Sequence, residues 1–120
     1  MNRGDVVIVS AQGDYGKPRP AVVIQNGRLG DLVESVVVCF LTSKVIGAHT
    51  MRVTITPDSA NGLQERSQVQ VDKIMTFPKE KVRGPIGRLA GDQMRSIDRN
   101  LMILLDLLPP IEIPQTSAER

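Results

Sequence analysis

Aromatic residues are scarce in this chain of 120 residues, which has no tryptophan, one tyrosine (Tyr15) and two phenylalanines (Phe40 and Phe77). Proteins that hold single-stranded nucleic acid mainly by stacking its bases need more rings than this. A peptide groove of the SH3 type, which is built from clustered aromatic side chains, is excluded for the same reason. If the partner is a nucleic acid, arginine, lysine and backbone amides must supply most of the contacts.

Histidine and cysteine are equally scarce, with one residue of each, His49 and Cys39. The sequence has no spaced cluster of cysteine, histidine and carboxylate residues, so we predict no metal site. It also lacks a Walker A or dinucleotide-binding motif, so we predict no cofactor. Acid–base catalysis by two histidines is impossible with one. We expect His49 to be a surface residue and Cys39, inside an apolar run, to be an unreactive core residue.

Long apolar runs and a strong excess of one charge are also missing. The longest apolar segments are far shorter than the roughly 18 residues of a membrane-spanning helix, and a single cysteine is compatible with a reducing compartment. We therefore expect a cytoplasmic protein that does not bind membranes. The formal net charge of +2 permits an anionic partner without requiring one.

Short runs of β-branched residues dominate the first two thirds of the chain, as in buried strands. The predicted strands are residues 6–9, 20–25, 35–41, 51–56 and 67–77, the last segment holding one or two strands. Residues 51–56 alternate between apolar and polar side chains, which indicates a half-exposed strand with Met51, Val53 and Ile55 on its buried face. The segments between these runs are predicted to be loops.

Near the C-terminus the apolar residues recur at steps of three and four, which predicts an amphipathic helix that begins at Asp92 and stops at Pro109 and Pro110. Its apolar positions are Met94, Ile97, Leu101, Leu104 and Leu108. Five to seven short strands followed by one helix predict a mainly β fold of the α+β class, a small bent barrel with a helix packed on it. We expect one domain over residues 1–108 and a frayed tail over residues 109–120.

Residues 16–20 (GKPRP) place an arginine on a stiff backbone. Pro18 and Pro20 restrict their own φ and favour extended geometry in the residues before them. Arg19 therefore lies at the junction of a glycine-rich loop and the second strand. A guanidinium held in this way suits a phosphate, because its planar fork can donate to two oxygens. The alternative is that Arg19 pairs with a carboxylate and stabilises the mouth of the barrel.

A second cluster follows the third strand, where Thr42, Ser43 and Lys44 bring two hydroxyl groups and an ammonium group together. These groups could bind a phosphate. The alternative is that the hydroxyls satisfy the backbone of a turn, which is common for serine and threonine after a strand.

The order and spacing of several short motifs resemble the MazF/PemK family of toxin endoribonucleases. The motifs are Arg3-Gly4-Asp5, Arg19-Pro20 before residues 22–26 (VVIQN), Leu41-Thr42-Ser43, Gly62-Leu63, Ser67, residues 71–76 (VDKIMT), residues 86–89 (IGRL) and the helix from Asp92. The resemblance extends over about residues 3 to 107. It implies a small SH3-like barrel of the MazF/PemK/CcdB type, a homodimer, and a cognate antitoxin that blocks the active groove.

The same resemblance implies metal-independent cleavage of single-stranded RNA at a short sequence motif, an mRNA interferase activity that leaves a 2′,3′-cyclic phosphate and a 5′-OH end. Arg19 matches the arginine of the family's Arg-Pro motif, and Thr42 matches its hydroxyl residue after the third strand. One branch of the family has a further Arg-x-Asp pair; the matching positions here are Gln70 and Asp72, so that arginine is absent. We therefore predict Arg19 and Thr42 as the catalytic residues.

Base recognition is expected from the loops that flank the groove, because unstacked RNA bases are read through their edges and by stacking. Tyr15 is the candidate for stacking. The other candidates for substrate binding are Gln12, Lys17, Ser43, Lys44 and Arg66.

The alternative from another functional class is a CcdB-like toxin, a non-enzymatic inhibitor of DNA gyrase built on the same barrel. In that family the activity depends on the last residues of the chain, with an aromatic residue near the end. Residues 116–120 (TSAER) contain no aromatic residue. The sequence therefore favours the endoribonuclease over the gyrase inhibitor.

Overall fold

The computed structural model of the protein describes residues 1–10 and 17–107. The predictions for Gln12, Tyr15, the tail over residues 109–120 and the helix-stopping role of Pro109 and Pro110 lie outside the described residues. None of the helices within the described ranges is long and apolar enough to span a membrane.

Six strands and one helix make up the described structure. They are β1 (Asp5–Ser10), β2 (Pro18–Val23), β3 (Ser35–Thr42), β4 (Arg52–Ile55), β5 (Ser67–Pro78), β6 (Val82–Arg88) and α1 (Gly91–Leu104). The strands form one antiparallel sheet in the order β4-β5-β3-β2-β1-β6. The prediction of a mainly β protein with a C-terminal helix is confirmed.

The sheet buries apolar side chains on both faces, because successive residues of a strand point to opposite sides. Val6 and Val7, neighbours in β1, belong to different clusters. The first cluster consists of Val6, Val22, Cys39, Leu41, Ile55, Val69, Val71, Leu89, Ile97 and Leu101. The second consists of Val7, Val9, Ala21, Val23, Val36, Val38, Phe77 and Val82. The valine-rich runs that predicted buried strands therefore form the core.

Helix α1 packs on the first cluster through Ile97 and Leu101, which are four residues apart and so share one face. Arg3, in the segment before β1, pairs with Asp98 of the helix, and its Nε donates to the carbonyl oxygen of Ile24 at 2.8 Å. The arginine thus connects the helix to the end of β2. The predicted amphipathic helix is confirmed in its position, but it ends at Leu104.

Three elements differ from the local pattern. The first is Gly27–Leu32, which lies in a predicted loop and forms 3-10 turns. The second is the start of β2: the sequence predicts that Pro18 and Arg19 precede the strand, but they belong to it because they pair with Ser10 and Val9 of β1. Strand β6 has no strand-like pattern, since it contains two glycines and a proline. It forms because it pairs with β1, with a shift in register between Val6 and Ile8.

Candidate active site

Arg19 and Thr42, the two predicted catalytic residues, lie at the same end of neighbouring strands. Ala21 of β2 is paired with Phe40 of β3. The two strands run antiparallel, so the start of β2, which holds Arg19, lies at the same end of the pair as the end of β3, which holds Thr42. The sheet therefore brings two motifs that are distant in the chain to one edge.

Both residues line one open groove of about 670 Å³ at this end of the sheet. Its lining residues come from several strands and from the segment before β5: Ile8, Lys17, Arg19, Pro20, Leu41, Thr42, Ser43, Lys44, Gly62, Leu63, Gln64, Glu65, Ser67 and Ile86. Of the predicted site residues, the groove brings together Arg19, Thr42, Lys17, Ser43 and Lys44. It does not include Arg66, which is exposed between the lining residues Glu65 and Ser67.

The described lining of the groove carries an excess of positive charge. Lys17, Arg19 and Lys44 contribute three cations, whereas Glu65 contributes one carboxylate. Lys17, Arg19 and Lys44 are all exposed. A concave surface with this balance attracts a polyanion, and its potential is strongest at low ionic strength.

The hydroxyl group of Thr42 is oriented by the turn that follows β3. Its Oγ1 accepts a hydrogen bond from the backbone N–H of Lys44 at 3.1 Å. This is the turn-satisfying role that the sequence left as an alternative. A hydroxyl has one donor hydrogen and two acceptor lone pairs, so the bond to Lys44 leaves the O–H able to donate to a phosphate oxygen. The two roles of Thr42 are therefore compatible.

Asn61, which sequence reasoning did not select, organises the segment that enters the groove after β4. It is 1% exposed. Its Nδ2 donates to the carbonyl oxygen of Thr56 at 2.9 Å, and its Oδ1 accepts from the backbone N–H groups of Asp58 at 3.2 Å and Leu63 at 3.0 Å. The Asn-Gly dipeptide signals a turn, but the three bonds become visible only in the folded chain.

Two glycines allow this turn to pack on β6. Gly62 has a φ of +69°, and a Cβ atom at this position would lie 2.2 Å from the carbonyl oxygen of Ile86. A Cβ atom on Gly87 would lie 2.2 Å from the carbonyl carbon of Asn61. Only glycine permits so close an approach of two backbones. The contact places Gly62, Leu63 and Ile86 together in the groove lining.

The two residues that the sequence assigned to non-catalytic positions are where they were expected. His49 is exposed, its Nδ1 accepts a hydrogen bond from the backbone N–H of Met51 at 3.1 Å, and it is not among the lining residues. Cys39 is fully buried in the first core cluster, and burial raises the pKa of its thiol to about 12. A thiol in that state is a poor nucleophile at neutral pH.

Within residues 1–10 and 17–107, no group of three or more histidine, cysteine and carboxylate side chains could hold a metal ion. The described side chains that line the groove supply a guanidinium, two ammonium groups, hydroxyl groups, an amide and one carboxylate.

Comparison with protein families decides what kind of protein carries this groove. Residues 2–105 match the family of PemK-like, MazF-like toxins of type II toxin–antitoxin systems. The chain belongs to this family. It is 38% identical over 108 residues to a probable endoribonuclease MazF of Mycolicibacterium smegmatis, covering 89% of this chain and 98% of that protein. It is 30% identical over 118 residues to endoribonuclease MazF9 of Mycobacterium tuberculosis, with the same two coverages.

Solved structures share the fold of this MazF-like toxin. A mycobacterial endoribonuclease in complex with its cognate antitoxin superposes with a TM-score of 0.76 at 24% identity, covering 92% of this chain and 99% of that one. A MazE–MazF complex from Deinococcus radiodurans gives a TM-score of 0.70 at 18% identity, covering 90% and 98%. At these identities the likeness concerns the fold, and it confirms the predicted MazF-type architecture.

The prediction of a MazF/PemK-family endoribonuclease toxin is confirmed by the family match and by the two curated relatives. These findings give no support to the CcdB-like gyrase inhibitor. The individual site residues stay predictions.

Proposed function

We propose that this MazF-like endoribonuclease toxin cleaves single-stranded RNA at a short sequence motif, with Arg19 and Thr42 acting at the scissile phosphate. The observation that supports this proposal is the shared groove. Both residues line it together with Lys17 and Lys44, so a guanidinium, a hydroxyl and two further cations meet where a phosphodiester could lie.

The substrate supplies its own nucleophile in this reaction. The 2′-oxygen bonds to the adjacent phosphorus as its proton is removed, and the bond from phosphorus to the 5′-oxygen breaks as that oxygen takes up a proton. The products are a 2′,3′-cyclic phosphate and a 5′-OH end. The enzyme must stabilise the negative charge that develops on the phosphoryl oxygens, which is the task of preorganised donors.

Arg19 suits this task because its guanidinium presents several N–H donors in one plane and stays charged. We assign it to charge stabilisation and to a hydrogen bond to the leaving 5′-oxygen. Because a guanidinium keeps its proton in proteins, it is neither the general base nor the source of the transferred proton; water takes up the proton of the 2′-OH and supplies the one that the 5′-oxygen gains. Thr42 donates a hydrogen bond to the phosphate or positions the 2′-OH, with its oxygen already held by the N–H of Lys44.

Lys17, Ser43 and Lys44 are proposed substrate contacts because they line the groove on either side of the two catalytic candidates. Gln12, Tyr15 and Arg66 are proposed as readers of neighbouring bases. Their role rests on their positions in the chain, beside the segments that supply Lys17 and Ser67.

We also propose that the protein acts in the cytoplasm as a homodimer, and that a cognate antitoxin blocks the groove. An acidic, flexible segment with apolar anchors would suit the positive groove and would fold as it binds. Leu105 and Leu107, just beyond α1, are 51% and 68% exposed and offer apolar surface to a partner. The structural relative that binds its cognate antitoxin is a precedent for such a complex.

The test is to incubate the purified protein with a long single-stranded RNA in EDTA and to map both ends of each fragment. We expect cuts at one short motif, a cyclic phosphate on the upstream fragment and a 5′-OH on the downstream one. The Arg19→Ala protein, purified identically, controls for contaminating ribonuclease, and a fully double-stranded RNA should resist cleavage. Intact single-stranded RNA combined with inhibition of DNA gyrase would contradict the proposal and favour the CcdB-like activity.

A further inference from the structure

A buried glutamine holds the loop that carries Lys44. Gln68 is 3% exposed and is paired with Thr42 in the register of β3 and β5. Its Oε1 accepts a hydrogen bond from the backbone N–H of Ile46 at 3.1 Å, and its Nε2 donates to the carbonyl oxygen of Ile46 at 3.0 Å. The side-chain amide therefore bonds to Ile46 as the backbone of a neighbouring strand would.

Arg52 of β4 completes this arrangement. Its Nη1 donates to Oε1 of Gln68 at 3.1 Å and to the carbonyl oxygen of Lys44 at 3.0 Å. Nε2 of Gln68 also donates to Oγ1 of Thr54 at 3.1 Å. The amide of Gln68 thus makes four hydrogen bonds, two through oxygen and two through nitrogen, which is its full capacity. Among uncharged side chains only asparagine has the same donors and acceptor, and it is one methylene group shorter.

The result is a loop whose backbone is held by side chains. The N–H of Lys44 donates to Thr42, the carbonyl oxygen of Lys44 accepts from Arg52, and both backbone polar groups of Ile46 bond to Gln68. Lys44 lines the groove, whereas Gln68 and Arg52 are not among the described lining residues. They therefore stabilise the loop that carries Lys44 without lining the groove themselves.

We propose that Gln68 and Arg52 are positioning residues that hold Lys44 at the groove for RNA binding; this inference rests on the proposed RNA cleavage. A flexible loop that must be ordered during binding weakens the affinity, and a loop that is ordered beforehand does not. Loss of either residue should raise KM for RNA more than it lowers kcat, because the backbone pairing of β2, β3 and β5 still holds the strands that carry Arg19 and Thr42. The RNA affinity that Lys44 contributes should be lost when Gln68 or Arg52 no longer holds its loop.

A double-mutant cycle tests this coupling. The variants are Gln68→Leu, Lys44→Ala and the pair, assayed for kcat and KM on an oligonucleotide that contains the cleavage motif. We expect each single change to raise KM about 10-fold, and the pair to raise it by little more than about 10-fold, because residues that act through one another are not additive. A KM that rises about 100-fold in the pair would mean independent effects and would overturn the proposal.

Hydrogen exchange at the amide of Ile46 gives a readout that does not depend on cleavage. This amide should be protected in the wild-type protein and should exchange much faster in Gln68→Leu. Thr54→Val is the matched control, since it removes one bond to Gln68 and none to the loop; it should leave KM and the Ile46 exchange unchanged. If Gln68→Leu fails to fold, Arg52→Gln takes its place, with Arg99→Gln, an exposed arginine of α1, as the control for lost charge.

The two proposals fail in different ways. The first outcome concerns the positioning role alone. If the wild-type protein cuts RNA and Gln68→Leu has lost protection at the Ile46 amide but keeps the wild-type KM, the positioning role is overturned and the proposed function stands. RNA that the wild-type protein neither binds nor cuts would overturn the proposed function, and this inference with it.

Discussion

The hydroxyl oxygen of Thr42 accepts a hydrogen bond from the backbone N–H of Lys44 at 3.1 Å, so a predicted catalytic residue is oriented by the backbone two residues further along the chain. The bond closes a short turn at the end of β3. It uses one lone pair of the Thr42 oxygen beside the groove and leaves the O–H able to act as a donor. The geometry of this turn is therefore part of the site.

Replacing Thr42 tests the role of this hydroxyl. Thr42→Val keeps the shape of the side chain but removes the donor, so we expect cleavage to fall by up to about 10²-fold, the loss typical of one preorganised donor. Thr42→Ser keeps the hydroxyl and should retain most of the activity. Single-turnover cleavage of an oligonucleotide substrate measures both. Equal activity in the valine and serine variants would show that the hydroxyl has no part in the chemistry.

Replacing Arg19 tests the central assignment. Arg19→Ala should lower cleavage by at least about 10²-fold, because the donor that meets the developing charge is gone. Its free energy of unfolding, measured in urea, should change by no more than about 1 kcal/mol, the range for interactions of an exposed charged side chain. Arg19→Lys keeps the charge without the planar fork, so its cleavage rate should lie between those of the wild-type and Arg19→Ala proteins. Arg28→Ala is the control, since Arg28 is exposed and lies outside the groove lining. A folded Arg19→Ala protein with near-normal cleavage would end this assignment.

The buried thiol of Cys39 predicts a loss of stability in alkali. Burial raises the pKa of Cys39 from its ordinary 9.0 to about 12. Between these values the unfolded chain loses the thiol proton and the folded chain keeps it, so the unfolded state is favoured progressively as the pH rises. The stabilising effect of the neutral thiol is complete below pH 9 and declines above it.

Urea unfolding of the wild-type and Cys39→Ala proteins at several pH values between 8 and 11 checks this expectation. The alanine variant should be less stable at pH 8 because of the cavity, and the difference should narrow as the pH rises. A difference that stays constant over this range would contradict the raised pKa. Alkylation of Cys39 at pH 8 should require denaturant.

The contact between Gly87 and Asn61 predicts that even the small change from glycine to alanine at position 87 has a large effect on stability. In Gly87→Ala the new methyl group would meet the backbone of Asn61 at 2.2 Å, so β6 and the turn must separate. We expect a loss of about 3 kcal/mol or more in the free energy of unfolding, at the upper end for overpacking. Gly47→Ala is the matched control because its Cβ would meet no atom within 4 Å. Similar stabilities for the two variants would contradict the close packing.

Strands β1, β3 and β4 and helix α1 could be predicted from the sequence because their signal is local. The alternation of residues 51–56 places Ile55 in the core, as expected, and the helical period places Ile97 and Leu101 there. Strand β6 could not be predicted in this way. Gly87 is required there because the backbone of Asn61 packs against it, and a contact of that kind leaves no hydrophobic period in the sequence.

By itself the sequence determined the strand-rich core, the amphipathic helix, the family and the two catalytic candidates, because apolar periodicity and the Arg-Pro motif are properties of short segments. The tertiary structure alone decided that Arg19 and Thr42 share a groove, that Asn61 and Gly62 bring the turn into it, and that Gln68 holds the loop of Lys44. These relationships depend on strand order and register. Pairing between distant segments satisfies backbone and side-chain hydrogen bonds that no single segment can satisfy alone.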